Sequence, residues 1–288
     1  EVLAIMDELK EVVDSTDKKF LYAENFVYAT PVQKAAEIIR AKKSKVLFMK
    51  GEESLKGSSS PVAGKWNKTG GGILVRTGTH PLTGMLWLKQ QEALARGETI
   101  TVKSVSADVG VTTACLSEHE HRHIAARPED VEDYAAVTVT FSDGTKCLTI
   151  ASDTVLGGTK NYIEVYSNDS SLMCNITPTD ILNTYFLDEE GLDDVYISEM
   201  LPAKLGWNKA FVSDEIIRGY MGELQDFMET IAYDKTPSSD FALAYETTKI
   251  MYAAYQSAEE GRRIDFCSYT SLLFSSQSAG TGNSGARA

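Results

Sequence analysis

The sequence predicts an α+β fold in which helices pack on one face of a large, mostly antiparallel sheet. Residues 136–141 alternate between apolar and polar, which indicates a strand with one buried face. Apolar residues recur at helical spacing toward both ends of the chain, over 2–14 and 241–260. These patterns place helices on either side of a strand-rich middle.

The predicted elements change type near residue 99. Upstream, the pattern predicts a helix over 2–14, a strand over 19–23, a helix over 31–41, a strand over 46–49, a loop over 51–72 and a helix over 80–95. Downstream, it predicts strands over 99–108, 135–142, 145–153 and 161–167, then helices over 213–232 and 241–260. The serine- and glycine-rich residues 267–288 are expected to form a flexible tail.

Composition limits the classes of partner. The chain has 288 residues, 43% hydrophobic and 24% charged, as is usual for a globular protein. Its formal net charge of -13 repels phosphate backbones and anionic bilayers, so we expect neither nucleic acid nor membrane as a partner. No apolar run approaches the ~18 residues that span a bilayer. The four cysteines are widely spaced, which is typical of reduced thiols and favours a cytoplasmic location.

Three histidines alternate at His119, His121 and His123. On a strand they would share one face and could bind Zn²⁺, as in a metal-dependent hydrolase. Acidic and basic residues are interleaved with them, which is typical of a solvated segment between strands. The sequence therefore predicts no metal site here.

A G-x-G-x-x-G pattern occurs at residues 280–285. A dinucleotide-binding loop of this type needs a helix after its last glycine, because the helix N-terminus binds the pyrophosphate. Only three residues follow the pattern here. We therefore do not interpret it as a cofactor-binding loop.

The segment from Trp66 to Pro81 is the most informative one. The three glycines at 70–72 permit close approach of the backbone to another group. A short apolar strand is expected over 73–75, with His80 then at the start of a helix. A helix N-terminus disfavours the imidazolium, so we expect His80 to be neutral and able to accept a proton. A histidine that only caps the helix fits the same pattern, and both interpretations stay open.

Residues 66–80 resemble a segment of the Gfo/Idh/MocA oxidoreductases, G-G-G-x-L-x-D-x-G-x-H with an upstream tryptophan. Residues 22–31, 131–145 and 253–262 resemble that family's crossover into its second domain, its V-E-D-x-A…F-x-D-G-T strands and its closing helix. The order of the segments is also the family's. The resemblance implies a substrate-binding and oligomerisation α+β domain over 29–266, preceded at 1–28 by the last helix and strand of a Rossmann domain.

Two departures from the family pattern bear on function. The family begins with a Rossmann domain that carries G-x-G-x-x-G and an E-K-P motif with a catalytic lysine, and this chain shows neither at the matching place. The chain thus resembles an N-terminally truncated member, and we expect it to bind cofactor weakly and to be inactive alone. Arg76 also stands where the family has its aspartate.

The resemblance implies hydride transfer between NAD or NADP and a hydroxyl-bearing carbon of a sugar or polyol. His80 aligns with the family's catalytic histidine and would exchange the hydroxyl proton. Arg76 is expected to bind a substrate carboxylate or hydroxyl, or else to pair with an acidic neighbour.

Four more residues are expected near the ligands. Trp66 and Tyr28 would line the substrate pocket as flat surfaces for a sugar ring, with ordinary core packing as the alternative. Asn25 and Glu24 fall where the crossover passes the nicotinamide, so both are expected to contact the cofactor. A turn would also explain Asn25.

A second class of function stays open at this stage. The chain could be a stand-alone, non-catalytic module that binds sugar or dimerises. Family members commonly pair through the outer face of this sheet, which implies a homodimer or homotetramer. An in-frame G-x-G-x-x-G and E-K-P in the coding sequence before Glu1 would favour the oxidoreductase.

Overall fold

The computed structural model of the protein describes residues 2–177, 182–190, 192–195, 205–210 and 212–266. The helices in this part of the chain are α1 Val2–Asp14, α2 Asn25–Tyr28, α3 Thr30–Lys42, α4 Trp66–Thr69, α5 Thr79–Arg96, α6 Glu215–Arg218, α7 Tyr220–Ala232 and α8 Phe241–Glu260. The strands are β1 Val46–Ser54, β2 Val102–Gly110, β3 Tyr134–Phe141, β4 Lys146–Ser152, β5 Lys160–Ser167, β6 Ser171–Asn175, β7 Leu182–Phe186, β8 Gly206–Ala210 and β9 Ile264–Asp265.

The larger sheet has the strand order β6-β5-β1-β4-β3-β2-β9. β1 runs parallel to β4, and the other neighbouring strands of this sheet run antiparallel. β7 and β8 form a separate antiparallel pair. The sheet is thus mostly antiparallel, as the sequence predicts.

Alternation along the strands gives the sheet one buried face. In β3, Val137, Val139 and Phe141 are fully buried, while the residues between them are half-buried on the other side. The helices α3, α5 and α8 pack on the buried face and contribute core side chains such as Met85 and Ile250. Each such side chain contributes roughly 1.5–3 kcal/mol on burial. Helices on one face of the sheet confirm the predicted fold class.

The predicted strand over 19–23 is wrong, because this segment has no strand beside it in the described structure. It packs on the loop that precedes α8 instead. The backbone N–H of Tyr22 donates to the carbonyl of Ser239 at 3.1 Å. The ring of Phe20 meets that of Phe241 edge to face at 5.0 Å.

Three further boundaries differ from the prediction. The expected apolar strand over 73–75 is helical, and a π-helical turn, Leu74–Gly78, runs directly into α5. The expected loop over 51–72 is shorter, because β1 continues to Ser54 and α4 follows. The expected helix over 213–232 divides into α6 and α7 at Gly219, whose φ of 98° lies in the left-handed region.

The alternating histidines do not lie on a strand. Residues Glu120–His123 form a 3₁₀ turn, and the imidazole of His121 hydrogen-bonds to the carbonyl of Ala126 at 2.8 Å. Within the described ranges no three His, Cys, Asp or Glu side chains are placed to hold a metal ion. Nor does any helix there combine the length and apolarity that a bilayer crossing requires.

The predicted division of the chain stays a prediction. The predicted tail, 267–288, lies outside the described residues. The predicted boundary after residue 28 falls at the end of α2, whose Phe26 and Val27 are buried in the same core as the sheet.

Candidate functional site

His80 is the second residue of α5, but the backbone upstream of it is already helical. Ile73, which precedes the π-helical turn, already has a helical backbone with φ -63° and ψ -33°. His80 is therefore about two turns inside a continuous helical segment, where the dipole of a helix N-terminus no longer acts on it. The prediction that a helix N-terminus keeps His80 neutral is thus wrong. The prediction that His80 caps the helix is also wrong, since Gly78 precedes α5 as its N-cap residue.

The partner of His80 is Glu24. The imidazole Nδ1 lies 2.9 Å from Oε1 and 3.0 Å from Oε2 of the Glu24 carboxylate. Glu24 is only 1% exposed, and its carboxylate also accepts the backbone N–H of Phe26 at the start of α2. The imidazole stacks on the ring of Phe26, with 5.3 Å between centroids. Phe26 of α2 therefore contacts both members of the pair, through its N–H and through its ring.

Glu24 sets the protonation of His80. Burial by itself lowers the pKa of His80, but the charge and hydrogen bond of Glu24 outweigh it and raise the pKa from 6.5 to about 9. At neutral pH His80 is thus an imidazolium that donates from Nδ1 to Glu24. Nε2 is the nitrogen left to face a ligand.

The turn between α6 and α7 docks against α2 and brings two more charged residues to His80. The side-chain amide of Asn25 donates to the carbonyl of Arg218 at 2.9 Å. Gly219 approaches so closely that a Cβ at that position would lie 2.3 Å from the carbonyl oxygen of Asn25. Arg218 and Glu223, on either side of this turn, therefore lie beside the Glu24–His80 pair.

Glu53, near the end of β1, completes the site. Its side chain is 7% exposed and interacts electrostatically with His80, Arg218 and Glu24. Burial raises the pKa of Glu53 to about 7, although His80 and Arg218 lower it. Burial and the charge of Glu24 likewise raise the pKa of Glu223 to about 6.

The sequence reasoning missed Glu53, Arg218 and Glu223. Glu53 fell in the predicted loop, four residues after the apolar strand 46–49, and the strand in fact continues past it to Ser54. Arg218 and Glu223 stand in a stretch predicted as one helix. Gly219 was the available sign that the helix breaks there.

Arg76 forms a partly buried ion pair with Asp153, whose own side chain is buried. This is the acidic neighbour that the sequence left open as an alternative partner. Burial raises the pKa of Asp153 to about 6, although Arg76 lowers it. That Arg76 binds substrate stays a prediction.

Gly72 makes room for Glu132, while Gly70 and Gly71 lie against the hydroxyls of Tyr252 and Tyr255. The Glu132 carboxylate accepts the backbone N–H groups of Gly72 and Leu74 and the hydroxyl of Tyr255, each at 2.8 Å. A Cβ on Gly72 would lie 2.0 Å from the carbonyl oxygen of Glu132. The close approach expected of these glycines is therefore internal packing.

The remaining predicted site residues lie in other contacts. Trp66 is 39% exposed and meets the ring of Tyr255 edge to face at 5.0 Å. Tyr28 is 6% exposed, and its hydroxyl donates to Asp226 at 2.8 Å while accepting the N–H of Ser239. Among the residues predicted to contact ligands, Glu24 and His80 are hydrogen-bonded to each other. The roles proposed for Trp66 and Tyr28 stay predictions.

Several polar groups of this region are engaged within the chain. The N–H groups of Gly72 and Leu74 donate to the Glu132 carboxylate, the Asn25 side-chain amide donates to the Arg218 carbonyl, and the Glu24 carboxylate pairs with His80. Together with Glu53, Arg218 and Glu223, the Glu24–His80 pair forms a polar site around an imidazole, which can exchange a proton with a bound ligand.

Comparison with known proteins agrees with this architecture. The sequence profile of an oxidoreductase family's C-terminal alpha/beta domain (GFO_IDH_MocA_C) matches residues 45–266. Comparison with curated protein sequences gives no significant match.

Several solved structures share the fold. GenD2 from gentamicin A biosynthesis, in complex with NAD, is 20% identical at a TM-score of 0.68, over 84% of this chain and 62% of that one. A probable dehydrogenase from Thermotoga maritima is 18% identical at a TM-score of 0.64, and the match covers 91% of this chain and 69% of that one. Levoglucosan dehydrogenase, in complex with NADH and L-sorbose, is 17% identical at a TM-score of 0.64, and the match covers 91% of this chain and 70% of that one. The chain thus spans 62–70% of the lengths of these proteins.

Proposed function

Because the chain belongs to the Gfo/Idh/MocA oxidoreductase family, we propose that it forms the substrate-binding half of a sugar or polyol dehydrogenase. Such an enzyme moves hydride between NAD or NADP and a hydroxyl-bearing carbon. The observation that carries the proposal is the Glu24–His80 pair, a proton-exchanging group held by a buried carboxylate. Relatives of the same fold solved with NAD, or with NADH and L-sorbose, support the ligand class.

The role proposed for His80 is proton exchange at Nε2. In the direction of carbonyl reduction, the imidazolium donates this proton to the carbonyl oxygen as it becomes a hydroxyl. In the direction of oxidation, neutral His80 accepts the hydroxyl proton. Because Glu24 raises the pKa of His80 to about 9, the donor form dominates at neutral pH and the acceptor form requires alkaline pH.

The part proposed for this chain is substrate binding and proton transfer. Because Gly72, Asn25 and Glu24 are engaged in hydrogen bonds within the chain, we propose that the nicotinamide nucleotide is bound by other residues of the enzyme. The same observation favours a second candidate, a sugar-binding module without chemistry. The two differ in whether His80 contributes to turnover or only to binding.

Assembly and location are part of the same proposal. The outer face of the sheet carries Phe48 stacked on Tyr166, with ring centroids 6.1 Å apart. Such a face supports pairing of two copies into a homodimer or homotetramer. We also propose a cytoplasmic location, for which the reduced cysteines are the support: Cys115, Cys147 and Cys174 are free thiols.

The proposal is tested by following the His80 imidazole with NMR while glucose or myo-inositol is added. We expect a saturable shift of the His80 signals, with the signals of His119, His121 and His123 unchanged as internal references. A His80→Gln variant assigns the signal. If no sugar or polyol perturbs His80, the proposed substrate site is wrong.

A further inference from the structure

The hydrogen bond to Glu24 holds one corner of the His80 ring but not its plane. Both oxygens of the Glu24 carboxylate lie within 3.0 Å of the imidazole Nδ1. The outer torsion of a histidine side chain has only a broad preference, so this bond alone leaves the ring able to turn about Nδ1. The direction of Nε2 therefore depends on what lies against the face of the ring.

The side chain that lies against that face is Phe26. Its ring stacks on the imidazole with 5.3 Å between centroids and 24° between planes, as offset-stacked aromatic pairs do. Phe26 is 1% exposed and belongs to the core that joins the helices to the sheet. Because the core holds the phenyl ring, the phenyl ring in turn restricts the imidazole plane.

Gly84 leaves the room that this contact needs. It lies four residues after His80 on α5, one turn along the same side of the helix. A Cβ on Gly84 would lie 3.6 Å from the Cβ of Phe26 and 2.7 Å from the Cδ1 of Ile163. α2 and β5 therefore approach α5 closely at this turn, and the approach of α2 brings the Phe26 ring to the imidazole.

The stack also favours the charged form of His80. The face of a phenyl ring is negative, and the imidazolium lies within the roughly 6 Å over which such a ring attracts a cation. The charged groups that act on His80 come from four parts of the chain: the acids Glu24, Glu53 and Glu223 and the cation Arg218. Phe26 adds to the effect of the acids without burying a further charge.

We propose that Phe26 is a positioning residue for the reaction at His80, whose ring holds the imidazole plane so that Nε2 faces the bound substrate. The inference rests on the proposed function and deepens it. Phe26 acts through the imidazole, because a phenyl ring has no proton to exchange. Displacing a reacting group by about 1 Å can slow a reaction a hundredfold, so a histidine free to turn is a slower catalyst.

The first test is NMR of the chain, for the wild type, Phe26→Leu and Phe241→Leu. Phe26→Leu removes the ring but keeps the backbone N–H that donates to Glu24 at 3.2 Å. Phe241→Leu is the matched control, since Phe241 is 6% exposed and meets Phe20 edge to face at 5.0 Å. Thermal unfolding shows that each variant is folded.

In the wild type we expect nuclear Overhauser contacts between the rings of Phe26 and His80. Phe26→Leu should lower the pKa of His80 by about 0.5, because the ring no longer attracts the imidazolium. Phe241→Leu should leave the pKa of His80 unchanged. The ring contacts are read in the wild type, so the test does not depend on the folding of a variant.

The second test is turnover of the natural gene product with the same substitutions. Phe26→Leu should lower kcat for oxidation by about tenfold or more and change KM by less than about twofold. Oxidation requires neutral His80, so the lower pKa should also move the midpoint of the rate against pH about 0.5 toward acid. A purely structural role would leave that midpoint unchanged.

The outcomes separate the two proposals. If the wild type shows no contact between the two rings, or if Phe26→Leu leaves both the pKa of His80 and kcat unchanged, the positioning role is wrong and the proposed function stands. If the wild-type gene product oxidises no sugar or polyol, the proposed function fails and the role of Phe26 in it falls as well.

Discussion

The buried Glu24 and the partly exposed His80 form a pair across two elements, with both carboxylate oxygens within 3.0 Å of the same imidazole nitrogen. Glu24 lies at the start of α2 and His80 near the start of α5. Arg76, where the family has its aspartate, turns instead to Asp153. Glu24 thus supplies the carboxylate that positions and charges the imidazole in this chain.

Replacing Glu24 by Gln should lower the pKa of His80 from about 9 toward its ordinary value of 6.5, because the carboxylate charge is the main cause that raises it. NMR titration of the imidazole measures this directly. Since the folded-state pKa lies above 6.5, the stability contributed by the pair is complete below about pH 6.5 and is lost as pH rises through about 9. Equal His80 pKa values in the wild type and Glu24→Gln would show that the pair does not form.

Replacing Arg76 by Met should reduce the free energy of unfolding by about 3 kcal/mol near pH 8, because Asp153 is left buried and unpaired. The loss should be smaller near pH 5, since Asp153, with its pKa raised to about 6, is then mostly neutral. Denaturant unfolding at the two pH values measures both. The double variant Arg76→Met/Asp153→Asn is the control and should be more stable than Arg76→Met near pH 8. The same loss at both pH values would argue against the ion pair.

Replacing Gly72 by Ala should destabilise the fold by about 2 kcal/mol or more, because the added Cβ meets the backbone of Glu132. The matched control is Gly110→Ala, where a Cβ has open space. Denaturant unfolding of the two variants makes the comparison. Equal stabilities would mean that the glycine segment does not pack on Glu132 in solution.

Added NADH or NADPH should show no fluorescence change with the chain at micromolar concentration. The reason is that pyrophosphate affinity comes largely from free N–H groups at a glycine-rich helix start, and Glu132 takes those of Gly72 and Leu74. Fluorescence titration measures this, with a dinucleotide-binding dehydrogenase as positive control. Micromolar affinity would reveal a nucleotide site outside the described residues of this chain.

The fold class was predictable because the alternation of apolar and polar residues in strands, and the helical spacing of apolar residues, follow directly from which face is buried. Val137, Val139 and Phe141 are buried where the pattern requires it, and α8 begins and ends at the predicted residues. The irregular conformation of residues 19–23 was not predictable. Whether a segment forms a strand depends on a neighbouring strand, which the local sequence does not show. The segment over 73–75 is helical because Glu132, distant in sequence, accepts its first N–H groups.

The site was predictable only in part. His80 was found through the motif around it, but its charge state was not, because that depends on Glu24, 56 residues away. Glu53, Arg218 and Glu223 reach the site from three other elements. Such convergence is a property of the tertiary fold, and neither spacing nor composition along the chain records it.

Dehydrogenase activity of the natural gene product tests the central claim most directly. The measurement is formation of reduced nicotinamide from NAD or NADP with a panel of sugars and polyols, for the wild type and for His80→Ala. The account predicts oxidation of at least one of them at alkaline pH, reduced by about a hundredfold or more in His80→Ala. No turnover with any sugar or polyol, or turnover unaffected by the loss of His80, would contradict it.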